Sequence, residues 1–207
     1  MSAGTMLLTL AAILAFCGLL QRVLDRMYLT DRQALMIIGL MLIGTFLPNI
    51  PLGKMQISLA GAVIPLGVCI FLLIKADKVS ERLHAIIGAM LTAGTIYALS
   101  TLLPAEPEIL LVDPLWLYGL CGGVIAWLLG RSRRNAFICG VSGVILADIA
   151  TGLIAALQGY NVQIVLGGGG IADVAVVSGV VSVLLCEILG EAIERLARHM
   201  QSGRVRS

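Results

Sequence analysis

Two aspartates, Asp148 and Asp173, stand in sequence that is otherwise compatible with lipid. Asp148 lies within NAFICGVSGVILADIATGLIAALQ. Asp173 follows the glycine-rich turn GYNVQIVLGGGG, near the start of IADVAVVSGVVSVLLCEILG. A charge at the bilayer centre costs at least ~2.5–3.5 kcal/mol, so a carboxylate inside a span is held there by a function or by a partner. Two carboxylates kept close cannot both ionise easily. One retains a proton, and the pair then supplies the acid and the base that activate water against an amide. Taken alone, Asp148 offers a different chemistry, a proton or cation site on a path through the membrane. Each feature also has a purely structural alternative. Asp173 can cap the helix it opens, where orphan amides and the helix dipole favour an anion. Asp148 can hydrogen-bond to a neighbouring helix, and Gly167–Gly170 can be a plain connector.

The elements that must position these residues are apolar. The 207 residues are 59% hydrophobic and only 13% charged, with a mean hydropathy of +1.02. Soluble domains carry roughly 25% charged residues, and repeated apolar runs near 20 residues mark membrane spans. Seven such segments can be marked: Gly4–Leu20, Ala34–Leu47, Ile57–Ile74, His84–Leu103, Pro114–Leu129, Asn135–Leu157 and Ile171–Gly190. The fold class predicted is all-α, a polytopic transmembrane helix bundle of about seven spans. One integral membrane domain covers residues 1–207, with an amphipathic cytoplasmic end over about 191–207. The first segment lacks a basic stretch before it and has Arg22 and Arg26 after it, so it reads as a retained span rather than a signal peptide.

Basic residues set the expected orientation. Arg22, Arg26 and Arg32 follow the first segment, and Lys75, Lys78 and Arg82 follow the third. Arg131, Arg133 and Arg134 follow the fifth, and Arg195, Arg198, Arg204 and Arg206 lie in the tail. Only Lys54 falls on the other side. The positive-inside rule then places the N-terminus outside and the C-terminus in the cytoplasm of a prokaryotic inner membrane. In that orientation Asp148 is ~20 Å from the cytoplasmic end of its span, in the outer half of the membrane.

Other features of the outer half can line a cavity beside the two aspartates. Asn49 and Pro51 interrupt the end of the second segment, and Gly61 and Pro65 interrupt the third. Gly168, Gly169 and Gly170 approach Asp173. Interrupted helices are tolerated in lipid where they border protein or water. Thr95, Tyr97 and Ser100 are candidate hydroxyl donors. Small residues at packing intervals (Gly119 and Gly123; Gly143, Ala147 and Thr151) indicate close helix contacts rather than an activity. The five cysteines show no CxxC or Cys/His pairing, so neither a metal site nor a disulfide framework is expected. No cofactor, nucleotide or nucleic-acid motif is present.

Across most of its length the sequence resembles an uncharacterised polytopic membrane family, domain of unknown function 1614. The resemblance rests on Asn49-Ile50-Pro51, Gly61-Ala62-Val63-Ile64-Pro65, Ala147-Asp148 and the glycine-rich approach to Asp173. It implies a shared fold without an activity. In arrangement alone, the aspartate of the sixth span and the one after the glycine-rich turn also resemble the diaspartyl intramembrane proteases of the signal peptide peptidase and presenilin group. That resemblance implies Asp148 and Asp173 as a catalytic pair. The sequence departs from it at Ala172, where that group has glycine, and at Ala147, where it has tyrosine.

Three functions are therefore expected from different classes. The first is an intramembrane aspartyl hydrolase acting on a membrane-embedded peptide, favoured by helix order, orientation and turn together. The second is a proton- or cation-linked transporter or channel for a small solute, favoured by the isolated carboxylate and broken helices. The third is a non-enzymatic scaffold that uses the cytoplasmic end. The lipid bilayer is the partner common to all three.

Overall fold

The structure is a computed structural model and describes residues 30–52, 55–76, 78–102, 114–130, 132–159, 164–167 and 173–204. The first apolar segment, the loop around 103–113 and Gly168–Gly170 lie outside these residues. Helix α1 spans Asp31–Thr45. It begins with a capping box, in which Thr30 Oγ1 accepts the Gln33 N–H at 3.4 Å and Gln33 Oε1 accepts the Thr30 N–H at 3.0 Å. Pro48 and Pro51 cannot continue a helix. The chain instead forms strands β1 (Ile50–Leu52) and β2 (Met55–Ile57), an antiparallel pair with Pro51 opposite Gln56. Pro51 lies on the edge strand, where its missing N–H breaks no inner ladder.

A π-helix over Leu59–Val63 runs directly into α2, Ile64–Ile74. Ser58 Oγ accepts the Gly61 N–H at 3.3 Å, capping the π turn, and Pro65 occupies the first turn of α2. At the other end, Arg82 bonds to the carbonyls of Ile74 and Ala76, satisfying acceptors that the helix terminus leaves open. Four longer helices follow: α3 (Val79–Leu102), α4 (Pro114–Gly130), α5 (Arg133–Leu157) and α6 (Val174–Arg204). Between the last two, strand β3 (Ile164–Leu166) adds to β2 in parallel, giving a sheet of order β1-β2-β3.

Among the described residues, three helices are long and apolar enough to cross a membrane, over Val79–Leu102, Arg133–Leu157 and Val174–Ile193. Shorter apolar helices occupy Leu35–Thr45, Leu59–Ile74 and Trp116–Leu129. The expectation of a mostly helical membrane bundle holds among the described residues. One correction is needed: the purely helical expectation missed the small sheet, and Ile57, where the third apolar segment begins, is the last residue of strand β2.

Helix α5 is the hub, packing against α3, α4 and α6. Its buried face runs from Arg134 to Gly152, including Ile138, Cys139, Val141, Val144 and Ile145. Small residues make this density attainable. Gly119 and Gly123 of α4 lie against Val181 and Leu185 of α6, and Gly143 of α5 lies against Thr92 of α3. Two buried serines join the helices further: Ser178 Oγ donates to the Gly140 carbonyl at 3.3 Å, and Ser182 Oγ donates to the Gly119 carbonyl at 2.9 Å. Such interhelical bonds average about 0.6 kcal/mol in a bilayer. Outward-facing Leu83, Ile86, Ile87, Met90 and Leu91 on α3 give the apolar surface that lipid requires.

Candidate functional site

Asp148 sits on α5, nine residues or about 13 Å before the helix ends at Leu157. It lies at the surface of the bundle and has no hydrogen-bond partner among the described residues. One turn further on, Gly152 receives the side chain of Ile164, so β3 rests on α5 beside it.

Asp173 is half-buried and immediately precedes α6. Its Oδ1 accepts the Ala175 N–H at 2.9 Å, and its carbonyl accepts the Val177 N–H at 3.0 Å. This is N-cap geometry, the structural role considered for it from sequence. Asp148 is nonetheless close enough to Asp173 for their charges to interact, and close enough to Tyr118 of α4 as well. The end of the bundle formed by the start of α4, the last third of α5 and the start of α6 thus collects two carboxylates and a phenol. Tyr118 escaped the sequence reading, since one tyrosine in an apolar run carries no local signal of what faces it.

The remaining expected cavity residues are more dispersed. Gly61 and Pro65 are buried in packing, with the Gly61 backbone against Gly167. Asn49 and Pro51 are exposed at or beside the edge strand β1, the strand that does not pair with β3. Gly168, Gly169 and Gly170 fall outside the described residues. The hydroxyls of Thr95 and Ser100 turn back onto carbonyls of their own helix, Leu91 at 2.8 Å and Tyr97 at 2.8 Å.

No grouping of three or more His, Cys, Asp or Glu able to hold a metal occurs among the described residues. Cys69, Cys139 and Cys186 are buried free thiols packed as small hydrophobes. At the opposite end of the bundle, Glu187 of α6 pairs with Arg133 of α5.

Span-length apolar helices, joined by glycine contacts and serine bonds, define a multispanning helical membrane protein. The same conclusion follows from family comparison. Residues 6–206 match the family described as YphA-like integral membrane protein, and the chain belongs to that family. No curated protein and no solved structure matches it. The family match confirms neither of the two resemblances drawn from the sequence, and its description assigns membrane integration without an activity.

Proposed function

We propose that Asp148 is the exchanging carboxylate of a proton- or cation-linked transporter or channel for a small solute. In this reading the chain crosses a prokaryotic inner membrane about seven times, with its N-terminus outside and its C-terminus in the cytoplasm. The observation that carries the reading is the contrast between the two aspartates. Asp173 is committed to the backbone of α6 as a cap, whereas Asp148 has no hydrogen-bond partner among the described residues and feels the charge of Asp173. A fixed anion beside a free carboxylate attracts a cation, and a free carboxylate can release one. A small rearrangement of α4 against α5 would alter the Tyr118–Asp148 approach and so couple binding to conformation.

The coupling of two carboxylates on adjacent helices also favours a second reading, the intramembrane aspartyl hydrolase with Asp148 and Asp173 as its pair. That chemistry needs both groups free to share a water and a proton. The capping bond of Asp173 to Ala175 weighs against it.

The test is flux in vesicles reconstituted with the full chain, loaded with a pH-sensitive dye and driven by imposed proton, sodium or potassium gradients. Asp148→Asn keeps size and shape, and should lower a protein-dependent flux at least tenfold with helical content unchanged. Flux that ignores the substitution, or no flux under any gradient, sinks the proposal. Cleavage of a membrane-embedded reporter peptide, abolished by both Asp148→Asn and Asp173→Asn, would establish the hydrolase instead.

A further inference from the structure

The opposite end of the bundle holds a polar cavity that neither aspartate touches. Its volume is about 400 Å³, and Lys78, Ser80, Glu81, His84, Ser132, Arg134 and Asn135 line it. That size lies within the range of roughly 300–1,000 Å³ typical of ligand sites. Two helices begin here, α3 at Val79 and α5 at Arg133. Ser132 is the N-cap of α5, yet its side chain makes no capping bond. Its hydroxyl is instead spent on Glu81, donating to Oε1 at 3.0 Å. The first amides of α5 therefore receive no acceptor from the residue placed to supply one.

Charge is unbalanced in the same direction. Arg134 lies 3.3 Å from Glu81 and donates to the Lys75 carbonyl at 3.2 Å, so the Glu81 carboxylate is already answered by a cation and a hydroxyl. Lys78 forms no ion pair among the described residues and leaves the lining with a net positive charge. The decisive residue is Asn135. It is only 3% exposed, it lines the cavity, and its side chain has no hydrogen-bond partner among the described residues. Its amide reaches the cavity rather than being sealed inside the packing, so a group bound there can complete its hydrogen bonds.

We infer that this cavity is an anion site for a phosphate group, with Lys78 and Arg134 supplying charge and Asn135 together with the first amides of α5 supplying directed N–H donors. Phosphate suits the donor set because it accepts several hydrogen bonds at once and is stabilised at a helix N-terminus. The same chemistry is carried by an anionic phospholipid headgroup and by a free phosphate. On the orientation proposed above, the site opens where the anionic inner leaflet meets the protein. The inference is independent of any role for Asp148.

The experiment titrates the full chain in neutral detergent with dihexanoyl phosphatidylglycerol in one arm and inorganic phosphate in the other, reading the melting temperature and the heat of binding. Dihexanoyl phosphatidylcholine, whose net charge is zero, is the control. At least one anion should bind saturably and raise the melting temperature, and the arm that binds names the source. Asn135→Asp places a negative charge in the cavity at nearly constant shape and should weaken binding about tenfold or more. Lys78→Gln, at an exposed position that leaves folding intact, should weaken it about threefold and flatten its salt dependence. The inference is overturned if neither anion binds better than the choline lipid, or if Lys78→Gln and a folded Asn135→Asp both bind like the parent chain.

Discussion

Gly61 and Gly167 meet backbone to backbone. A side chain on Gly61 would run into the Gly167 carbonyl, and one on Gly167 would run into the Gly61 carbonyl carbon and the Ala62 amide. The contact follows from the ladder. Ser58 N–H donates to the Leu166 carbonyl at 2.9 Å, extending β3 to the residue that caps the π-helix. Gly167 then turns away at φ +69°, a left-handed conformation that suits glycine. The result ties the interruption of the third apolar segment to the approach to Asp173, two features far apart in the chain.

Either glycine replaced by alanine should therefore destabilise the protein by about 1–3 kcal/mol, because the obstructing atoms are backbone and cannot swing aside. Gly67, on α2 with open space around its Cβ position, is the matched control. Gly67→Ala should be neutral or slightly stabilising, as alanine is the better helix former by up to about 1 kcal/mol. Thermal unfolding in detergent reads all three. Equal melting temperatures for Gly61→Ala and Gly67→Ala would contradict the contact.

Capping by Asp173 separates its shape from its charge. Asn serves as well as Asp at an N-cap, whereas Ala costs about 0.5–2 kcal/mol. Asp173→Asn should unfold at nearly the parent temperature and Asp173→Ala distinctly below it, with faster hydrogen exchange at the amides of 175–177. If Asp173→Asn keeps its fold but alters ion flux in vesicles, the carboxylate matters as a charge beside Asp148 and not only as a cap.

Most of the architecture was readable because it rests on local properties. Apolar length alone marks Val79–Leu102, Arg133–Leu157 and Val174–Ile193 as helices able to cross a bilayer. The proline pair at 48 and 51 marks the end of α1. The alternative role of Asp173 was readable too, since an aspartate opening an apolar helix is a cap by its chemistry. The sheet was not. Its strands are three residues each, too short for an alternating pattern, and β3 pairs with a strand from a remote part of the chain. The polar cavity was equally hidden, since the Glu81–Ser132 and Arg134–Lys75 bonds span 51 and 59 positions. His84 opens the fourth apolar segment, and nothing near it in sequence announces Asn135.

The α4–α5–α6 contact should be limited by backbone approach more than by its hydrogen bonds. Removing the Ser182 hydroxyl loses one bond to the Gly119 carbonyl, and Ser182→Ala should cost about 0.6 kcal/mol and no more than about 1.7. A Cβ on Gly140 would lie 2.7 Å from the Ser178 carbonyl oxygen and 2.8 Å from the Gly179 Cα. Gly140→Ala should thus cost more than Ser182→Ala, about 1–3 kcal/mol, because two helices must separate. Chemical unfolding in mixed micelles gives the order, and the reverse order would mean that the interface tolerates separation.

The Glu81–Arg134 pair supports a stricter test, because both side chains are mostly buried at the margin of the cavity. Arg134→Gln removes the cation and leaves Glu81 with the Ser132 hydroxyl, while Lys75 loses a donor to its carbonyl. Deleting one member of a buried pair is worse than deleting both, since the survivor keeps its desolvation cost without its counter-charge. Arg134→Gln alone should therefore destabilise more than Glu81→Gln alone, which leaves a cation that can still hold the Lys75 carbonyl. The double variant should fall short of the sum of the two by about 0.5–3 kcal/mol, the interaction energy expected for residues in contact. Partial access to water at Glu81 places the value toward the lower part of that range. Strictly additive unfolding free energies would show that the pair is not coupled, and Arg134 would then owe its burial to its other partners, the Lys75 carbonyl among them.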